Sequence, residues 1–335
     1  MPGSERGGAE AWVAQRCSGR TGRPCRAVLL RGAPLPRGVP VAGRSAGRRR
    51  NGRSQARGLS RKAGGSAAVP GHCDLCGRLR PVDFERSLFD RLVDEAWPAP
   101  GRVVTGGWVL RYAGGVTKRA NSVLPLGDVP DMDRAIAEAE RFYAGVGLPC
   151  VFSIGAGATE GLDAELSRRG YRRTGPTLIM AIRLADVRSA AEPAGVEPDP
   201  SEDWLRTWWQ TEGIGHRAHD RIPPRAWAER ILTGVRAGYL HLPEGAVGRA
   251  VPQDKWLGIY CMAVAPHARR RGLGTSVLRT LLAWGRTQGA VYGYLAVTEA
   301  NRAARALYER EGFTVVGRYH YRVKPEAEAT ARGRR

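Results

Sequence analysis

Residues 256–274 read WLGIYCMAVAPHARRRGLG: a nearly unbroken apolar run, a short connector, three arginines and a Gly-Leu-Gly. An apolar run of this length, closed by Pro266, is what a central strand requires, because both of its faces are covered. The glycines open a helix predicted from Gly272 to Gln288, whose Leu273, Val277, Leu278, Leu281, Leu282 and Trp284 fall on one core-facing stripe. A helix N-terminus exposes unpaired amides and the positive end of the dipole, and phosphate satisfies both. Gly272 and Gly274 let the backbone curl and a ligand approach it, while Arg269, Arg270 and Arg271 add charge.

Three phosphate or polyanion readings compete, and all three fail on residues. A dinucleotide fingerprint needs a third glycine where Val277 stands, and an acidic residue on the following strand, whereas Glu299 lies beyond Val297. A Walker loop needs Gly-Lys-Ser/Thr, which is absent. A DNA-reading helix would set its arginines among further basic residues, but the helix that follows is apolar on its packed side.

The bulk numbers agree with a globular protein carrying a basic leader. The chain has 335 residues and a formal charge of +21, yet residues 1–80 alone hold 17 Lys and Arg against 3 Asp and Glu. That Arg/Gly-rich segment, taken as 1–81, has almost no apolar periodicity and is predicted to be disordered. It reads as an upstream extension that a start near Val82 would remove, and only this segment supports a nucleic-acid-binding alternative. Cys73 and Cys76 form a CDLC pair with no second ligand pair, so no metal site is expected. Scattered cysteines, no signal segment and no membrane-length apolar run point to a reduced, cytoplasmic protein.

From Phe84 the pattern is globular. A helix is predicted over 84–97, strands at Gly107–Tyr112 and Arg119–Leu124 around a Gly114-Gly115 turn, and a helix over 130–144 capped by Asp128. Then come a strand at Cys150–Ile154, a helix ending near Arg169 and a strand at Thr177–Leu184. Residues 191–200 read as a linker. Beyond it, helices are predicted at Trp204–Gln210 and Arg225–Val235, and strands at Tyr239–Leu242 and Gly248–Val251. After the strand Trp256–Val264 and its helix, a strand Val291–Val297, a helix Asn301–Glu311 and strands near Phe313–Val316 and Tyr319–Lys324 close the chain, before a basic tail at 326–335. Gly170-Tyr171 with Gly175 echoes Gly312-Phe313 with Gly317, each after a helix and before a closing strand. Two diverged copies follow, over 82–190 and 201–325, of which the first is expected to lack both the central strand and the glycine loop of the second.

Arg269-x-x-Gly272-x-Gly274 after Val264-x-Pro266 resembles the acyl-CoA pyrophosphate loop of the GNAT superfamily of N-acetyltransferases. Asn301-x-x-Ala304-x-x-Leu307-Tyr308-x-x-x-Gly312-Phe313 resembles the second GNAT signature. The resemblance covers residues 196–325, and GWVLRYAGGVTKRANSVLP is similar, more loosely, to the first half of actinobacterial tandem GNAT proteins, some labelled N-acetylglutamate synthases. It implies an α/β (α+β) fold: a mixed, mostly antiparallel sheet with splayed central strands and flanking helices, the first half being a degenerate, non-catalytic copy.

The same resemblance implies acetyl-CoA as co-substrate, with no metal. Its pantetheine arm would bond to the main chain of Met262 and Val264, and its diphosphate to amides of the loop Arg269, Arg270, Arg271, Gly272, Leu273, Gly274 and Thr275. Asn301 would contact the pantetheine region. Tyr308 would act as general acid for the departing thiolate. The strand bearing Tyr260 and Cys261 lacks the acid many relatives use as base, and Ala296 departs from the usual acidic or amide residue, leaving Glu299, Asp254 and His320 as candidates by position. Trp208, Trp209 and residues His216–Arg221 fall on the acceptor side. The expected acceptor is a primary amine of a small molecule, glutamate included, or of a protein; a glutamate would need arginines such as Arg217, Arg221 or Arg322. The alternative is an acyl-CoA sensor without catalysis.

Overall fold

The structure, a computed structural model, describes Leu79, residues 84–187, Glu192, residues 194–213 and residues 215–325. The basic extension other than Leu79, the CDLC pair at Cys73 and Cys76, and the tail 326–335 lie outside the described residues. The chain runs α1 (Leu88–Ala96), β1 (Gly101–Thr105), β2 (Trp108–Tyr112), β3 (Val123–Pro125), α2 (Met132–Gly145), β4 (Val151–Ile154), α3 (Leu162–Arg168) and β5 (Arg172–Arg183). It continues as β6 (Val196–Glu197), α4 (Glu202–Trp208), α5 (Pro224–Leu232), β7 (Gly238–Leu242), β8 (Ala246–Gln253), β9 (Trp256–Val264), α6 (Leu273–Thr287), β10 (Tyr292–Thr298), α7 (Arg302–Arg310) and β11 (Thr314–Val323).

Local chemistry explains where these bounds depart from the predicted ones. Helix α2 is capped by Asp131, whose carboxylate accepts from the Arg134 amide at 2.9 Å, and not by Asp128. The strand predicted at Arg119–Leu124 begins only at Val123, because Asn121 organises a wide loop ahead of it. The Asn121 side-chain oxygen accepts from the Ala113 and Gly115 amides at 2.7 and 2.8 Å. The hairpin partner of β2 is β1, joined to it through Gly106-Gly107. The two closing strands are one, β11, bent by irregularities at Val315/Gly317 and Tyr319/Tyr321. Gly170 and Gly312 both take positive φ after their helices, at +80° and +96°, a conformation that glycine adopts freely.

The eleven strands among the described residues form one sheet, in the order β1-β2-β3-β4-β11-β5-β10-β9-β8-β7-β6. The C-terminal strand does not lie beside β10. It inserts between β4 and β5, and β5 in turn pairs with β10 from Tyr292↔Arg183 to Thr298↔Thr177. The pairings β3·β4 and β9·β10 are parallel, and the neighbours between them antiparallel, so the order reads alike outward from the β11–β5 pair.

Alternation along the strands divides the core between two faces. Trp256 and Tyr260 of β9 pack with α1, α2, α4 and α5, through residues such as Leu92, Ile136, Trp204 and Trp227. Leu257 and Ile259 pack with α6 and α7, through Val277, Leu281 and Tyr308. Helix α1 is further tied to distant strands: the Arg249 guanidinium of β8 donates to the Ala96 carbonyl at 2.9 Å, and the Tyr294 hydroxyl of β10 to the Leu92 carbonyl at 2.9 Å.

Such interlocking makes the second half dependent on the first. A fragment starting at Val196 leaves the β5 side of β10 and both sides of β11 without a strand, a condition that favours aggregation. We expect it to show no cooperative thermal transition and no near-ultraviolet circular dichroism; a soluble fragment that melts cooperatively would contradict this.

Candidate active site

The site begins where two parallel strands part. β9 and β10 pair from Tyr292↔Trp256 to Leu295↔Ile259 and no further. Each nevertheless continues on its outer side, β9 along β8 to Val264↔Ala246 and β10 along β5 to Thr298↔Thr177. Backbone edges facing the gap are therefore left without strand partners, and an extended ligand can take their hydrogen bonds.

A bulge marks the parting. Register shifts between Val247 and Arg249 of β8, so that Cys261 and Met262 face the single Gly248. Cys261 carries φ of +53°, unusual for a residue with a side chain. Bulges of this kind re-aim a strand beside a binding site. Gly248 permits it: a Cβ there would lie 2.5 Å from Val277 and 3.0 Å from the Met262 sulfur.

From Val264 the chain passes through a short 3₁₀ turn at Pro266–Ala268 into the arginine–glycine loop. The Arg269 Nε folds back to donate to the Val264 carbonyl at 3.1 Å, fixing the loop against the strand end. Arg270 and Gly272 both take left-handed backbone, with φ of +61° and +81°. Helix α6 then starts at Leu273 with no side chain capping it. Its first-turn amides thus point outward without a protein acceptor from a cap, which is the geometry of an anion site. The two glycines differ in their reason. Around Gly272 there is open space, so its conformation is the constraint; at Gly274 a Cβ would stand 3.2 Å from Leu307 of α7, so close approach is. The cradle fits a diphosphate attached to an extended arm.

Tyr308 lies on α7, 8% exposed, in the core cluster that α6 also joins. Burial, reinforced by the charge of Glu212, pushes its phenol up to about 12, so it is protonated at neutral pH and able to donate. Glu212 is the residue that sequence reasoning missed. It sits in a π-helical turn, Trp209–Gly213, directly after α4 and packed on β9. π-Turns are over-represented at functional sites. The residue is exposed, yet partial desolvation by the surrounding protein raises its carboxyl, opposed by the Arg269 charge. Its field also reaches the Cys261 thiol, which burial holds at about 12 and keeps un-ionised. Glu212 thus influences the charge balance of Cys261 and Tyr308 and is itself influenced by Arg269. No sequence motif marks it; the only local signal is the break of helical spacing after Trp208.

The other candidates are dispersed. Glu299, at the end of β10, has its carboxylate bound to Arg318 at 2.9 Å. His320 bonds Asp163 at 2.8 Å on the β4 side of β11. Asp254 forms the turn between β8 and β9, at the opposite end of β9 from the gap. The Asn301 side chain caps α7, accepting from the Ala304 amide at 3.1 Å, while Ala296 pairs with Ile179. Met262 and Val264 line the open stretch of β9, half-buried. Tyr260 bonds the Tyr294 hydroxyl at 2.9 Å within the core.

On the acceptor side, Trp208 is core and stacks near Trp204, whereas Trp209 is half-buried with its ring 6.2 Å from His216. Burial lowers the His216 pKa, and its ring bonds the Val116 backbone. The His219 amide donates to the Gly114 carbonyl at 2.9 Å, and the Tyr112 hydroxyl to Asp220 at 2.8 Å. The acceptor-side loop is thus anchored on the first half of the chain. Arg217 and Arg221 are exposed, and Arg322 is held by Asp163, Ser167 and the Tyr171 carbonyl. Among the described residues no cluster of metal-ligating side chains occurs.

Parted parallel strands beside a glycine-opened, uncapped helix form a cleft that can take an extended anionic ligand. Residues 89–322 match the model of the family described as "Probable histone acetyltransferase Rv0428c C-terminal". The chain is 32% identical over 252 residues to "Uncharacterized N-acetyltransferase YobR" of Bacillus subtilis, covering 70% of this chain and 97% of that protein. It is 29% identical over 240 residues to "Probable histone acetyltransferase Rv0428c" of Mycobacterium tuberculosis, covering 69% and 70%. Among solved structures, a GCN5-related N-acetyltransferase from Kribbella flavida shares the fold with a TM-score of 0.52 and 17% identity, over 73% of this chain and 96% of that one. The chain belongs to the GNAT family of N-acetyltransferases.

Gly272→Val forces a β-branched residue into left-handed backbone, at about 1–2 kcal/mol, and Gly274→Val presses on Leu307. Calorimetric titration should show acetyl-CoA affinity reduced about tenfold or more in each; affinity equal to wild type in both would contradict the loop's role.

Proposed function

We propose that this acetyltransferase takes its acetyl group from acetyl-CoA and delivers it to a primary amine of a small molecule or a protein. The observation that carries this reading is the end of β9–β10 pairing at Leu295↔Ile259, beside an α6 N-terminus with no side-chain cap. The pantetheine arm lies along the open edge at Met262 and Val264, and the diphosphate rests on amides from Arg270 to Thr275. The start of α2, the corresponding helix of the first half, is occupied by the Asp131 carboxylate, which supports a single donor site in the second half.

The amine nitrogen attacks the thioester carbonyl carbon, the carbon–sulfur bond breaks, and the thiolate takes a proton. Tyr308 supplies that proton. The base that removes the ammonium proton is Glu212, directly or through water, in preference to Glu299, whose carboxylate is engaged by Arg318. A relative named a probable histone acetyltransferase supports a protein amine. The unpaired thiols of Cys150 and Cys261 support action in the reducing cytoplasm.

Release of free thiol from acetyl-CoA, followed across a panel of amines, tests the reading; tight donor binding without thiol release on any amine would leave a sensor. Tyr308→Phe should lower kcat about 100-fold with the melting temperature preserved, and an unchanged kcat removes Tyr308 from the proton transfer. Because the working form of Glu212 is the carboxylate and its pKa is raised, kcat/KM should climb with pH through a midpoint above the ordinary carboxylate range. Glu212→Gln should abolish that limb; a profile that keeps it assigns the base elsewhere.

A further inference from the structure

The bulge that bends β9 leaves one residue of β8 without a counterpart. In the register Val247 stands opposite Ala263 and Arg249 opposite Tyr260, and Gly248 between them has no partner. Its carbonyl accepts a hydrogen bond from the indole Nε1 of Trp204 at 3.0 Å, deep in the protein. A buried carbonyl must find a donor, and one left without it is costly. Trp204 supplies that donor from α4, at the place where the β8–β9 register is interrupted.

The indole is held in place on every side. Trp204 is 1% exposed; its ring lies 6.0 Å from that of Trp208 and meets Tyr239 edge-on at 5.2 Å. Its backbone is fixed too, because the Ser201 hydroxyl that caps α4 accepts from the Trp204 amide at 3.1 Å. On the opposite side, Val277 and Leu281 of α6 press so closely on Gly248 that a Cβ there would stand 2.5 and 2.7 Å from them. Gly248 is therefore gripped twice, by α6 through contact and by α4 through a directed bond. Contact is indifferent to where the carbonyl points, whereas the bond is not.

We infer that Trp204 is a positioning residue for the donor: its indole holds the β8–β9 bulge and thereby keeps the β9 edge at Met262 and Val264 set for the pantetheine arm. This deepens, and rests on, the acetyl-CoA reading above. Trp204 itself needs no contact with the ligand. Without the N–H, Gly248 keeps a buried carbonyl to satisfy, the strands lose their fixed geometry at 261–262, and the edge is no longer preorganised. The diphosphate cradle is spared, because it is built on the first turn of α6, whose side chains pack in the other core cluster from Trp204.

The test separates the two ends of the donor. Two replacements remove the N–H: Trp204→Phe, and benzothienylalanine placed at the same position, which puts sulfur where the N–H stood within the same outline and so keeps the packing. Calorimetry on the full chain measures acetyl-CoA beside adenosine 3′,5′-bisphosphate, the fragment of the coenzyme that lacks the arm. Acetyl-CoA should bind about tenfold more weakly to both proteins, at unchanged stoichiometry, while the fragment binds as it does to wild type. A merely structural role would lower the stoichiometry, through an unfolded fraction, and leave the affinity of the folded remainder intact. Should Trp204→Phe not fold, the benzothienyl protein decides. Acetyl-CoA affinity equal to wild type in that protein, or an equal loss for the fragment, would overturn the role of Trp204 alone. Failure of wild type to bind acetyl-CoA would instead defeat the donor reading, and this one with it.

Discussion

Everything at the site depends on two parallel strands being unable to stay together. β9 is bent by a two-against-one bulge at Cys261 and Met262, while β10 is held straight along β5 to its last residue. Each strand keeps its outer neighbour, so neither can close the gap, and the open edges persist in the folded state. A sheet normally hides such edges because they recruit other chains. Here the gap is narrow, flanked by helices, and ends at amides that favour an anion, which restricts what can enter.

Strand exchange is the second constraint, and it links the two halves in both stability and function. β5 supplies the straight wall of the gap, α1 is pinned to β8 and β10, and the loop before α5 is docked on the Gly114–Val116 turn. The half without the glycine loop thereby frames the chemistry of the half that has it. Its own equivalent helix start is filled by Asp131, so a second donor is not needed to explain its retention.

Much of this was legible in the sequence where the chemistry is local. The apolar run 256–264 is the central strand, residue for residue, and the glycine loop opens α6 one residue later than expected. The signature after Asn301 forms α7 with Tyr308 on its inner side. What sequence could not supply is non-local pairing: that β11 crosses to β4 and β5 depends on the competition among whole strands, whereas the β1–β2 hairpin carries a readable two-residue Gly106-Gly107 turn. Glu212 was hidden because a π-turn has no compositional mark. Asp131 outcompeted Asp128 as a cap by lying immediately before the first helical residue, within reach of the Arg134 amide.

The central claim is that the unpaired edge of β9 and the first turn of α6 are where the donor binds. Amide hydrogen exchange followed residue by residue, with and without acetyl-CoA, addresses it directly. The account predicts that amides in the open stretch of β9 and those at 272–275 exchange readily in the free protein and become protected on addition of acetyl-CoA, with those of β7 and β8 unaffected. Binding that protects some other segment, and leaves these amides exchanging as before, would contradict it.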